Sequence, residues 1–364
     1  MKQRKPLYYA GLLLFLAAAA CVIWLCGRRV RLPYADEMEE ASRLHVRAVS
    51  AVREERLARG YALAEEDVLK LGLIGSEYSA ITTSLGSLEA KRTSQLPDMA
   101  ALFVRLLREA GVKKGDTVGA CFSGSFPGAD LALLCAADVM GLKVICSAAV
   151  GASTYGANLP GYVLPEMIRT CVDAGLLSAG PQMVSLGGDS DEGRNMFGVL
   201  MGETEEIEAM QERLAEEGFT LLHFGTFEEN VRYRMEQMGE IAAFVNVGGN
   251  VLGIGNGDAA LAFGQGLLKP AHPPLNAKSG LIERYLVRDV PVIHILNLKQ
   301  LCAETGVPFD PAELPEIGTG GVYYSRGYSK PLIAAAALLG TAAALLIEKD
   351  ERKRKGLGKG RGQI

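Results

Sequence analysis

Histidine and tryptophan are scarce in this chain: four and one, respectively, among 364 residues. No Cys-x-x-Cys pair and no Cys/His ligand spacing occurs, so neither a zinc site nor any other resident metal is expected. G-x-G-x-x-G, G-x-x-x-x-G-K-[ST] and G-x-S-x-G are all missing, which removes the standard dinucleotide, nucleotide and serine-hydrolase signatures. No cofactor is therefore expected. The formal net charge of −4 understates the acidity of the middle, because basic residues gather at the two ends. An acidic centre without a basic stripe argues against nucleic acid as a partner.

Seven cysteines are present, and Cys21 and Cys26 fall in an apolar run near the amino end. Cys121, Cys135 and Cys146 sit inside further apolar runs, the usual setting of buried free thiols. With Cys171 and Cys302 the remaining number is odd, and no disulfide framework is expected.

What the chain does have is an uncharged stretch at each end. Residues 6–27, PLYYAGLLLFLAAAACVIWLCG, are long enough to cross a hydrocarbon core of about 30 Å at about 1.5 Å per residue. Residues 331–347, PLIAAAALLGTAAALLI, are shorter and alanine-rich; the alternative for them is a buried core helix. Tyr323, Tyr324 and Tyr328 precede this second run like an interfacial belt, and a basic tail follows it.

Lys2, Arg4 and Lys5 at one end, and Lys349, Arg352, Lys353, Arg354, Lys355, Lys359 and Arg361 at the other, place both ends in the cytoplasm. The localisation expected is a two-pass cell-membrane protein with an extracytoplasmic centre. Arg28, Arg29 and Arg31 pull the other way. Ala18-Ala19-Ala20-Cys21 raises a processed signal peptide as the competing reading, but the apolar run continues through Leu25, beyond a signal core of about 7–15 residues.

The organisation expected is a cytoplasmic start with a first span (1–31), a solvated helical stalk (32–60), an α/β domain (61–328), a second span (329–348) and a basic cytoplasmic tail (349–364). The stalk reading rests on a stretch, 35–59, that has many charges and neither proline nor glycine. Beyond it, strand-like runs at 116–121, 143–147, 183–186, 220–224, 241–247 and 291–296 alternate with helix-like ones at 96–110, 128–140, 164–174, 203–217, 227–238 and 298–304. Such alternation predicts a mostly parallel, Rossmann-like sheet covered by helices. Residues 253–278, which include Gly253-Ile254-Gly255-Asn256-Gly257-Asp258, read as one long irregular loop.

Small polar residues follow four of these runs. The loops carry Ser123-Gly124-Ser125, then Ser153-Thr154 with Asn158, then Gly187-Gly188-Asp189 with Asp191 and Glu192, and then Gly248-Gly249-Asn250. In a parallel sheet all four open on the carboxyl edge, where open α/β sheets bind ligands. Ser123 and Ser125 are candidates for capping, anion binding or nucleophilic attack. Asp189, Asp191 and Glu192 suit acid/base work or cation binding, with an acidic surface turn as the favoured reading. His223 and His294 fall in strand-like runs and read as core residues, while His272 lies in a proline-rich loop. Ahead of the sheet, a hydroxyl-rich segment with Thr82, Thr83 and Ser84 leads to Lys91 and Arg92, a cation pair suited to carboxylate or phosphate.

The run GSEYSAITTSLGSLEAKRTSQLPDMAALFVRLLREAGVKKGDTV, followed by SGSFPG and SAAVGASTYGANLP, resembles the membrane-associated poly-γ-glutamate system protein family over about residues 71–324. The resemblance implies a part in making, exporting, anchoring or trimming a γ-linked glutamate polymer. The implied partners are that polymer or glutamyl oligomers, the membrane proteins that synthesise it and the bilayer. It supplies no catalytic mechanism, so Ser123 and Ser125 stand as candidate nucleophiles. Thr82, Thr83, Ser84, Lys91, Arg92, Gly124, Ser153, Thr154, Asn158, Asp189, Gly248, Gly249 and Asn250 stand as candidate ligand contacts. The favoured expectation is an accessory, polymer-binding component; the alternative is a serine-dependent amide hydrolase or transferase acting on γ-glutamyl bonds.

Overall fold

The computed structural model describes residues 5–257 and 263–359, which form two compact units. One joins the two termini, up to Leu32 and from Tyr324 onward; the other spans Pro33–Tyr323.

In the terminal unit, helices Lys5–Leu25 and Lys330–Lys359 pack on each other, and strands Arg28–Arg31 and Tyr324–Gly327 pair antiparallel. Both helices are long and apolar enough to cross a membrane. Only 6% of the Lys330–Asp350 window is buried, which removes the core-helix alternative for that segment. The arginines that strained the topology argument lie in the paired ribbon, where the Arg29 guanidinium stands 4.4 Å over the Tyr324 ring. Arg326 does the same on Trp24, at 4.2 Å. The basic run expected as a tail continues the second helix as far as Lys359; Arg361, Lys2 and Arg4 lie outside the described residues.

In the larger unit, apolar runs bounded by polar turns form a six-stranded sheet. Its strands are β1 (Thr117–Ser123), β2 (Lys143–Ala149), β3 (Met183–Ser185), β4 (Ala243–Val247), β5 (Gly266–Leu267) and β6 (Val292–Ile295). They lie in the order β5-β6-β4-β1-β2-β3, parallel throughout except for β5. From β1 the chain winds outward through β2 and β3, then crosses back to β4 on the other side of β1. The order reverses between β1 and β4, which opens a crevice at their carboxyl ends.

The unit's longer helices among the described residues are α1 (Ala35–Ala58), α2 (Leu88–Ser94), α3 (Asp98–Glu109), α4 (Pro127–Met140), α5 (Leu164–Asp173), α6 (Glu205–Glu216), α7 (Phe227–Met238), α8 (Leu281–Leu286) and α9 (Leu298–Thr305). α7 and α8 pack through Val231, Met235, Met238, Ile282 and Tyr285 onto Cys121, Phe244 and Val292 of the sheet. α1, α3 and α4 pack on one another, and α4 also meets β1 and β2.

Several expectations need correction. α1 is not a solvated stalk: Met38, Ala41, Leu44, Ala48, Val49 and Val52 are buried against α3 and α4, because its charges cluster on one side and leave a small-residue face. Tyr323 does not belong to an interfacial belt. It is wholly buried in the larger unit, with its hydroxyl 2.9 Å from Ser42 Oγ and donating to Asp98 at 3.3 Å. Residues 220–224 form no strand; Leu221 alone bridges to Val184 at the edge of β3. His223, expected in that strand, is exposed and paired with Glu192, whereas His294 is buried in β6. Nor is 253–278 irregular throughout: Gly253 and Ile254 end the helical turn Val251–Ile254, and Gly266–Leu267 form β5, while Asp258 lies outside the described residues.

Candidate binding cleft at the carboxyl edge of the sheet

β1 ends in Ser123, and the chain turns through Gly124 and Ser125 into α4, whose Pro127 occupies a first-turn position where its missing N–H costs nothing. β4 ends at Val247 and turns through Gly248, with φ +86°, and Gly249. A side chain at Gly248 would sit on Ser123 Oγ, so glycine is required there by both conformation and space. Asn250 closes the junction: its amide donates to Phe122 O at 3.1 Å, and its Oδ1 caps Leu252 N at 2.8 Å.

These turns, the loop after β2, the glycine turn after β3 and the hydroxyl-rich segment before α2 surround a cleft of about 940 Å³. Ser125, Ser153, Asp189 and Asn250, from four separate segments that follow strand ends, all line it; Ser153 lies in a two-residue strand paired with Thr82–Ser84. Thr83, Ser84, Lys91, Ser123 and Gly249 line the cleft as well. Of the remaining candidates, Thr82 and Asn158 bond to each other (2.9 Å), and Asn158 also grips the backbone of Ser76. Thr154 Oγ1 accepts from Gly86 N at 2.9 Å, which fixes that loop. Gly124 and Gly248 supply turn backbone behind the wall. These groups shape the cleft from outside it.

Lys91 and Arg92, read together as a cation pair, separate. Successive helical residues point about 100° apart, so Arg92 forms a two-pronged ion pair with Asp310 (2.6 Å for each prong) away from the cleft. Lys91 turns inward and is 1% exposed. Its Nζ donates to Ser153 Oγ at 2.6 Å and to the Ser125 carbonyl, and lies 4.2 Å over the Phe126 ring. Burial pushes its ammonium down to about 7, against a smaller pull upward from Asp130. Asp130, fully buried on α4, is pushed well above the ordinary carboxylate range by the same desolvation, and neither of its oxygens has a hydrogen-bond partner among the described residues.

The serines differ in what holds them. Ser123 Oγ accepts from Ser125 N at 3.3 Å. Ser125 Oγ accepts from Ser153 N at 3.0 Å. Ser153, read from the sequence as a ligand contact, is the hydroxyl that meets the lysine.

The acidic turn divides likewise. Asp189 faces the cleft and is exposed, while Asp191 is buried 3.0 Å from Arg234 and accepts from Ser185 Oγ at 2.8 Å. Burial raises the Asp191 carboxyl, with Arg234 opposing. Asn297, Lys299 and Phe309 also line the cleft and were not singled out from the sequence. Asn297 and Lys299 follow β6, a fifth strand end on the same edge; its lack of glycine and serine hid it, although strand position alone would have flagged it.

The charged lining is balanced, with Lys91 and Lys299 against Glu89 and Asp189. Hydroxyl groups and backbone amides supply most of its polarity. Comparison with protein-family models, with curated proteins and with solved structures finds no match.

Proposed function

We propose that this chain is a membrane-anchored accessory component of a poly-γ-glutamate system, and that its cleft binds a short γ-glutamyl segment of the polymer. The observation that carries this reading is the convergence of Ser125, Ser153, Asp189 and Asn250 on one cleft at the reversal point of a Rossmann-like sheet. Its size falls within the range of small-ligand sites, about 300–1,000 Å³. A γ-glutamyl unit presents an amide and a free carboxylate, which hydroxyls, amide N–H groups and one or two lysines can match. The near-neutral lining and the chain's net negative charge oppose long-range attraction of a polyanion, so recognition is local and spans few residues.

In this reading the two apolar terminal helices cross the membrane with both ends cytoplasmic, and the α/β unit faces outward to the polymer and its synthetic machinery. Free thiols run against an outward placement, where cysteines commonly pair; the five of that unit are buried, which leaves them unreactive there.

Equilibrium dialysis of the full chain in detergent against γ-linked glutamyl pentamer tests the ligand. Saturable binding that α-linked pentaglutamate does not match is the expected result; equal or absent binding of the γ-linked peptide overturns the reading. For orientation, Cys21 and Cys26 are replaced by Ala and exposed Glu65 by Cys. An impermeant maleimide then labels Glu65→Cys in intact cells, whereas protection reverses the topology.

A further inference from the structure

We propose that Ser153 and Lys91 are the nucleophile and general base of a hydrolytic activity on γ-glutamyl amide bonds; the choice of substrate rests on the polymer-binding reading above. The geometry carries it. Lys91 Nζ and Ser153 Oγ stand 2.6 Å apart at the floor of the cleft, within the reach a base needs to take a hydroxyl proton. The pair sits where a bound chain would lie. Among the described residues Ser123 and Ser125 accept from backbone N–H groups, and Ser87, which donates to Glu89 at 2.6 Å, is committed to capping the following helix at Ala90 N.

A lysine serves as a base only when neutral, and the surroundings favour that state. Phe126 covers the amine, burial strips its water, and the Ser125 carbonyl accepts one N–H and so orients the lone pair. The charged group that acts on it is Asp130 from α4; Glu89 from its own helix, Asp189 from the turn after β3 and Lys299 after β6 are the other charged groups of the cleft lining. Asp130 is buried and opposes deprotonation of the lysine, but less strongly than burial promotes it.

In the first half-reaction neutral Lys91 accepts the Ser153 proton as Oγ bonds to the γ-carbonyl carbon. Collapse breaks the C–N bond, and the leaving amine takes the proton from the Lys91 ammonium, leaving an ester on Ser153. In the second, Lys91 takes a proton from water as its oxygen bonds to the same carbon. The ester C–O bond breaks, Ser153 Oγ regains the proton, and a free γ-carboxylic acid departs.

The test uses the full chain in detergent, a fluorophosphonate probe with peptide mapping, and γ-linked glutamyl pentamer followed by mass spectrometry. The expected result is a phosphonyl adduct on Ser153 and shortened pentamer. Cleavage falls at least about 10³-fold in Ser153→Ala while pentamer binding persists. Lys91→Met, which keeps an unbranched chain over Phe126, loses about 10²–10⁴-fold and provides the same test should Ser153→Ala misfold. Cleavage rises as pH passes through about 7, where Lys91 loses its proton. Asp130→Asn moves that rise to lower pH, because the acid's pull on the ammonium is gone. Intact pentamer and an unmodified Ser153 in a protein that still binds the pentamer overturn the catalytic pair and leave the binding role standing. Failure of the wild-type protein to bind the pentamer overturns the substrate assignment instead.

Discussion

Gly86 lies so close to Ser153 that a methyl group added to it would sit 2.7 Å from the serine hydroxyl oxygen and 3.0 Å from Lys91 Cε. Thr154 holds the Gly86 loop in that position through its hydroxyl. Glycine here keeps the space in which the serine and lysine meet. Gly86→Ala is expected to rotate the Ser153 hydroxyl off Lys91 at a cost to stability of only about 1 kcal/mol, since the displaced atom ends a mobile side chain. Fluorophosphonate labelling of Ser153 should fall at least tenfold while the melting temperature shifts by a few degrees. Undiminished labelling would show that the contact does not activate the serine.

Two buried histidines make the fold sensitive to mild acid. His45 on α1 donates from Nε2 to Gly128 O at 2.9 Å, and His294 on β6 accepts from the Asn246 amide at 3.1 Å. Burial lowers both to about 4. In the unfolded chain each titrates near 6.5, so their contribution to stability is fully present above 6.5 and is lost as pH falls toward 4. A shift of that size corresponds to roughly 3 kcal/mol per histidine over the whole window. Melting curves from pH 7.5 to 4.5 should show a steep fall that His45→Gln flattens; parallel curves for the two proteins would remove His45 as a cause.

Among the described residues Arg234 and Asp191 form an ion pair with both side chains fully buried. Arg234 also donates to Ser147 Oγ at 3.1 Å, so it joins β2, the turn after β3 and α7. Removing one partner strands the other charge, and Arg234→Met is expected to cost about 3–5 kcal/mol. Replacing both, as Arg234→Met with Asp191→Leu, should recover much of that loss. Chemical unfolding of the single and double variants measures it, and additive losses would show that stranded charge is not the source.

Much of the sheet was legible because its strands are continuous apolar runs ending in glycine and serine, and α7 was readable to the residue. The solvated reading of 35–59 failed because charge frequency says little about which side of a helix the charges occupy. In the cleft, the strand-end rule gathered Ser125, Ser153, Asp189 and Asn250 correctly into one place. It did not reveal the lysine contact, which joins positions 62 apart. That contact depends on the approach of α2 to α4, permitted by Gly128, where any side chain would strike the Ser94 and Gln95 backbone. Nor does the hydroxyl density around Thr82 distinguish Thr83 and Ser84, which face the cleft, from Thr82 and Asn158, which satisfy one another.

The cleft itself is open to the most direct test at Gly249. This residue is exposed on the cleft lining, and a Cβ there would meet nothing closer than 3.7 Å, so Gly249→Trp is expected to be tolerated and to obstruct the cleft. Calorimetric titration of the full chain with γ-linked glutamyl pentamer should show saturable binding in the native protein. Gly249→Trp should bind at least about tenfold more weakly at an unchanged melting temperature. Equal affinity in the two proteins would place the polymer elsewhere and contradict the account.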